Sequence, residues 1–129
     1  MKPTEPIVYI VDDDISVREA LESLVRSVGL RAELFRTAQE FLKYKRADAP
    51  ACLVLDVRLP GLSGLELQRL LTDQGRVVPI IFITSFPDER MRRQAIGGGA
   101  ICYLPKPYSD EDLLGCIRLA LEKSGPRKH

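Results

Sequence analysis

The chain has 129 residues, 45% of them apolar and 29% charged, with a formal net charge of +1. That describes one globular domain able to bury about two thirds of its unfolded surface, and its near-neutral charge advertises neither a nucleic-acid nor a membrane partner. No apolar run approaches the roughly 20 residues that span a bilayer, and Met1-Lys2-Pro3-Thr4-Glu5-Pro6 lacks the apolar core of a secretory signal, so a cytoplasmic chain is expected.

Five short apolar runs alternate with five helix-like segments. The first run, Ile7–Val11, ends in Asp12-Asp13-Asp14. Val17, Leu21, Leu24, Val25 and Val28 then recur at helical spacing until Gly29 stops the segment. Asp14 reads as the cap of this helix. A weaker run, Ala32–Phe35, precedes Thr37-Ala38-Gln39-Glu40, a capping box whose helix buries Phe41 and Leu42.

The third run, Cys52–Leu55, stops on Asp56, with Pro60-Gly61 breaking the chain soon after. Ser63-Gly64-Leu65-Glu66 is a second capping box and turns Leu67, Leu70 and Leu71 inward. The fourth run, Ile80–Ile83, ends in Thr84-Ser85, and Pro87-Asp88-Glu89 suits a helix start with acids on the positive end of the dipole. That helix meets Gly97-Gly98-Gly99. Each glycine costs up to about 1 kcal/mol if helical, so the helix end is expected to fray and shift readily. The fifth run, Ile101–Leu104, ends in Pro105-Lys106-Pro107, and Ser109 opens a last helix with Leu113, Leu114, Ile117, Ala120 and Leu121 inward.

This alternation predicts an α/β fold, a doubly wound five-stranded parallel sheet covered by helices on both faces. In such sheets ligands bind outside the carboxyl ends of the strands. Residues 1–124 are read as the domain and 125–129 as a tail or the start of a linker at Ser124-Gly125-Pro126. Cys52, Cys102 and Cys116 are odd in number, lie in apolar stretches and fit no zinc spacing. They are read as small buried hydrophobes in a reducing compartment. The basic clusters at Arg90, Arg92 and Arg93 and at Arg127-Lys128-His129 are read as solvated surface, the first being also a candidate for a dimer face or an acidic partner.

The polar residues ending the runs all fall at strand carboxyl ends, so the fold gathers them on one edge of the sheet. Crowded carboxylates repel, and one pKa rises unless a cation intervenes. Hard oxygen ligands suit Mg²⁺, which takes one or two carboxylates plus phosphate oxygens. Lys106 adds a point positive charge and Thr84 a hydroxyl donor. With a phosphoryl group on Asp56 every part has a use: metal and lysine neutralise its oxygens, the hydroxyl holds one, and the aspartate is the nucleophile. Singly, each residue has an ordinary alternative as a solvated strand end, a turn start or a surface lysine. Together, at four strand ends, they form a specific constellation.

The stretches Ile10-Val11-Asp12-Asp13, Leu55-Asp56-Val57-Arg58-Leu59-Pro60-Gly61, Ile83-Thr84-Ser85 and Gly99-Ala100-Ile101-Cys102-Tyr103-Leu104-Pro105-Lys106-Pro107 resemble the receiver domains of two-component response regulators over about residues 6–122, and most of all the FixJ-type receivers. The resemblance implies strand order 2-1-3-4-5 and Asp56 as acceptor of phosphate from a sensor histidine kinase. It also implies Mg²⁺ on Asp13 and Asp56, with Asp12 acting through water and the Arg58 carbonyl completing the ligands. Lys106 contacts the phosphoryl group through a cis Lys106–Pro107 peptide, and Thr84 and Tyr103 act as the switch that rearranges the face of the fourth helix, fifth strand and fifth helix. Tyr103 has a plainer reading as an amphipathic residue at the core's edge.

The output implied is dimerisation or partner binding, with transcriptional control through a DNA-binding domain outside this chain and no direct nucleic-acid contact by the domain itself. A stand-alone receiver or phosphorelay member is the alternative. The domain is then a switch and not an enzyme. An aspartyl-phosphate phosphatase would want an acid two residues after the nucleophile, where this chain has Arg58, and a flavin module would want a phosphate loop in place of Asp12-Asp13-Asp14. Arg58 and Phe86, two residues beyond Asp56 and Thr84, are expected to flank the attacking water and set how long the phosphate lasts.

Overall fold

The computed structural model describes residues 5–45 and 49–124. Residues 1–4, the linker start at Gly125-Pro126 and the cluster Arg127-Lys128-His129 lie outside these. The elements alternate as β1 (Ile7–Val11), α1 (Ile15–Ser27), β2 (Arg31–Phe35), α2 (Ala38–Lys43), β3 (Ala51–Asp56), α3 (Gly64–Asp73), β4 (Ile80–Thr84), α4 (Glu89–Gly97), β5 (Cys102–Pro105) and α5 (Asp110–Lys123). The strands form one parallel sheet in order β2-β1-β3-β4-β5, as expected.

Strands buried on both faces must be apolar at every position, and β1, β3 and β4 are buried throughout. Alternate residues feed two cores. Tyr9, Leu53, Leu55 and Phe82 pack with Phe41, Leu67, Leu71 and Ala95 beneath α2, α3 and α4. Val8, Ile10, Val54, Ile81 and Ile83 pack with Leu21, Val25, Leu113 and Ile117 beneath α1 and α5. The weak second run is explained by position: β2 is an edge strand, and only Ala32 and Phe35 of its five residues are buried.

The helix starts follow the sequence with one difference. Asp14, Ser63, Asp88 and Ser109 each accept from a backbone N–H of the first turn, and Ser63–Glu66 forms a full reciprocal box. Thr37 accepts from the Glu40 N–H at 3.1 Å, but the Glu40 carboxylate turns to the Arg36 N–H at 2.8 Å, so the return bond of this box falls one residue early.

The cysteine reading needs correction. Cys102 and Cys116 form a disulfide with Cα atoms 6.3 Å apart, and Cys52 alone is a free buried thiol. Sequence separation hid the pairing: a residue on β5 and one on α5 meet because α5 packs back over that side of the sheet.

At the end of α4, helical geometry persists through Gly97, and Gly99 takes the left-handed conformation with φ +102°. Gln68 of α3, buried, donates from Nε2 to the Ala95 carbonyl at 2.9 Å. A Cβ on Gly98 would stand 2.9 Å from the Gln68 side-chain amide, so the glycine makes room for this strap. Gln68→Ala is expected to cost about 1 kcal/mol and to speed hydrogen exchange of the amides of residues 95–99 about fivefold. Unchanged exchange would detach the glycine run from the strap.

Candidate functional site

Asp12 follows β1, Asp56 and Thr84 end β3 and β4, and Lys106 follows β5. Their strands are neighbours, so the four residues fall at one edge of the sheet, and the side chains of Asp12, Asp56 and Lys106 meet there. Asp12 is fully buried. Its Oδ1 accepts from the Asp14 N–H at 2.8 Å and its backbone carbonyl from Arg18 Nη1 at 2.7 Å. Its Oδ2 is buried without a hydrogen-bond partner and faces the Lys106 ammonium at 3.7 Å. Asp56 accepts from the Arg58 N–H at 3.0 Å through Oδ1, while its Oδ2 lies 3.8 Å from Lys106 Nζ. One ammonium thus straddles two carboxylates. Lys106 is itself anchored by its N–H to the Thr84 carbonyl at 2.8 Å and is followed by a cis Lys106–Pro107 peptide.

Asp13 is exposed above the buried pair. One carboxylate oxygen from each of Asp12, Asp13 and Asp56 lies within 4.8 Å of the others. Two buried acids and one exposed acid, with an unpartnered oxygen among them, form a hard-oxygen donor set that fits a divalent cation of the Mg²⁺ type. Asp13 also lines an open groove of about 500 Å³ with Val57, Arg58, Leu59, Pro60, Ser63, Leu65 and Met91.

The electrostatics of Asp56 are those of a crowded acid. Its pKa is raised from 3.8 to about 6, chiefly by burial; the Arg58 N–H and Lys106 lower it, and Asp12 raises it. Thr84 is fully buried, and its Oγ accepts from the Phe86 N–H at 3.0 Å. Tyr103 is half-buried; its hydroxyl lies 3.3 Å from the Asp88 N–H and 3.4 Å from the Asp88 carbonyl. The Tyr103 ring packs against the α3–α4 core, so the plainer reading of this residue describes its ring, and its hydroxyl tethers the start of α4.

Arg58 and Phe86 meet: the guanidinium carbon lies 4.8 Å from the ring centroid. On α4, Arg92 and Arg93 turn to Glu89, which they flank at 2.7 and 3.4 Å, so the basic cluster carries its own counter-charge. Sequence reasoning missed Arg18, whose bond is to a backbone carbonyl and leaves no pattern, and Gly64. A Cβ on Gly64 would collide with the Asp56 carbonyl oxygen and come within 3.1 Å of the Val57 Cα. The clue was a glycine in the first turn of an otherwise well-capped helix.

The response regulator receiver domain family matches residues 8–118. The response regulator protein TmoT of Ectopseudomonas mendocina is 49% identical over 99% of this chain and 58% of its own length. The transcriptional regulatory protein FixJ of Bradyrhizobium diazoefficiens is 35% identical over 95% of this chain and 60% of its own. Among solved structures, the response regulator StyR superposes with a TM-score of 0.88 at 45% identity, covering 94% of this chain and 61% of that one. The chain belongs to the receiver domain family of two-component response regulators. It spans a little over half the length of the curated relatives it matches.

Proposed function

We propose that Asp56 is the phosphoryl acceptor of this receiver, and that the phosphoryl group comes from the phosphohistidine of a sensor histidine kinase. The observation that carries this reading is the pair of Oδ2 atoms, on Asp12 and Asp56, at 3.7 and 3.8 Å from the Lys106 ammonium and beside an exposed third acid. A carboxylate oxygen of Asp56 attacks phosphorus, the P–N bond breaks with its electron pair going to the imidazole nitrogen, and an acyl phosphate forms. Asp12, Asp13, Asp56 and the Arg58 carbonyl would hold Mg²⁺, which when bound supplies positive charge to the phosphoryl oxygens. Lys106 supplies a fixed charge from the protein side. The Thr84 hydroxyl, which accepts from Phe86 N–H, keeps its own hydrogen for a phosphoryl oxygen.

The pull on Thr84 is passed to Tyr103 on the neighbouring strand, where Thr84 pairs with Pro105 and Phe82 with Tyr103. The α4–β5–α5 face then rearranges, and homodimerisation or control of an attached domain is the output. A switch of this kind needs phosphate to favour one arrangement by several kcal/mol. Transcriptional control is inferred from the relatives, FixJ among them; DNA contact then belongs to a further domain and the cytoplasm is the place of action. Among the described residues no helix is long and apolar enough to cross a membrane. The phosphatase alternative is disfavoured by the family match and by Arg58 standing where a second acid is wanted.

Acetyl phosphate with Mg²⁺ should add the mass of one phosphoryl group to the wild type and none to Asp56→Asn. Labelling that survives the substitution overturns the assignment. Arg58 and Phe86, two residues beyond Asp56 and Thr84, stack on one another and are read as shielding the acceptor from the attacking water; such an exposed cation–π contact is worth about 0.5–1 kcal/mol. Arg58→Ala and Phe86→Ala should therefore each shorten the phosphorylated lifetime by about two- to fivefold, read by loss of the added mass with time. Unchanged lifetimes would dismiss the cover.

A further inference from the structure

We propose that Cys102 and Cys116 are a reversible thiol–disulfide site that sets how freely the β5–α5 face rearranges. The part of this that concerns phosphorylation rests on Asp56 being the acceptor. Cys102 opens β5, the outermost strand on its side of the sheet, and Cys116 lies in the middle of α5. Their Cα atoms, 6.3 Å apart, fall within the span a disulfide bridges without backbone movement. Both residues are half-buried, so a small disulfide or thiol reaches them from solvent. Cys52 is the contrast: fully buried, with its thiol pushed up to about 12 by burial, it is held as an inert hydrophobe.

The location gives the pair its consequence. Cys102 adjoins Tyr103, whose hydroxyl holds the start of α4, and Cys116 adjoins Ile117 in the core beneath α5. A bond between them pins α5 to the strand that carries the switch aromatic. Once opened, β5 keeps its ladder to β4 and α5 is held by apolar packing, its N-terminal loop and the bond from the Ala51 N–H to Ser124 Oγ, with no covalent link between the two elements. In a reducing compartment disulfides are usually transient and redox-sensing, and this one is placed to be made and broken without unfolding the core.

The oxidant is a low-molecular-weight disulfide of the oxidised glutathione class. One cysteine thiolate attacks it and expels a glutathione thiolate; the second attacks the resulting mixed disulfide and expels the other. Two protein thiols become one disulfide, one oxidised glutathione becomes two reduced molecules, and the two protons released pass to the leaving thiolates. A dithiol reverses the sequence.

The test uses the whole chain equilibrated with oxidised glutathione or dithiothreitol, followed by alkylation, intact mass and hydrogen exchange. Oxidised wild type should be lighter by two hydrogen atoms with Cys102 and Cys116 closed to alkylation. Its α5 amides, residues 110–123, should exchange about fivefold or more slowly than in reduced protein, whereas Cys116→Ser should exchange alike in both buffers. Thiols that stay alkylatable after oxidised glutathione, or equal exchange in the two states, would overturn the proposal. Acetyl phosphate and Mg²⁺ are then added to both forms. Equal phosphoryl uptake with a smaller exchange change around Tyr103 in the oxidised form supports the restraint, and equal changes overturn it. If reduced wild type takes up no phosphoryl group, the Asp56 assignment fails, and the mass and exchange comparison decides the cysteine pair by itself.

Discussion

Asp56→Asn is expected to make the metal-free domain more stable at pH 8, by up to about 3 kcal/mol, although it removes the reactive group. Folding raises the Asp56 pKa from 3.8 to about 6, chiefly through burial, so the native state holds this proton more tightly than the unfolded chain does. The favourable contribution of a raised carboxyl is complete below the unfolded pKa, near 4, and is lost as pH climbs through about 6. At pH 8 the wild type therefore folds with an ionised acid pressed against Asp12, and the Arg58 N–H and Lys106, 3.8 Å away, offset only part of the cost. Asparagine has nothing to ionise. Denaturant melts at pH 4, 6 and 8 should show the variant's advantage small at the first, growing through the second and full at the third. Saturating Mg²⁺ should narrow it at pH 8, because the wild type offers the ion one more carboxylate and gains more by linkage. A pH-independent difference would mean that Asp56 is not the strained acid of the site.

The same residues explain why so much of the site was legible in the sequence. An apolar run that stops on Asp56 or Thr84 marks both the strand and its end, and parallel strands put all such ends on one edge. Nothing beyond the order of the strands was needed to bring Asp12, Asp56, Thr84 and Lys106 to one edge of the sheet. What escaped depends on approach distances between elements and not on periodicity. The Cys102–Cys116 pairing, the turn of Glu40 to Arg36 in place of Thr37, and the bond from Gln68 to Ala95 each depend on where one element lies on another. The strap on α4 shows the difference in kind. Three glycines in a row predict a loose helix end from propensity, yet one of them is the gap into which a buried glutamine fits.

Gly64→Ala is expected to be the most damaging single methyl in the domain. The glycine is buried at the first position of α3, with its N–H donating to the Val57 carbonyl at 3.0 Å. An added Cβ meets backbone on the other side, the Asp56 carbonyl oxygen and Val57 Cα, and no flexible side chain is there to swing away. Either α3 lifts from the sheet or the end of β3 is displaced. Overpacking of a close-packed core costs about 1–3 kcal/mol where neighbours relax, and with backbone on both sides the loss should lie at about 3 kcal/mol or above. Because the displaced strand end carries Asp56, phosphoryl uptake from acetyl phosphate should fall along with stability. Gly115→Ala supplies the control. That glycine lies within α5 with open space around its Cβ position, so alanine there should stabilise by about 0.5–1 kcal/mol through helix propensity alone. Urea melts of the two variants should thus move in opposite directions from the wild type. Equal midpoints for Gly64→Ala and wild type would show that α3 does not seat on the strand end that presents the acceptor.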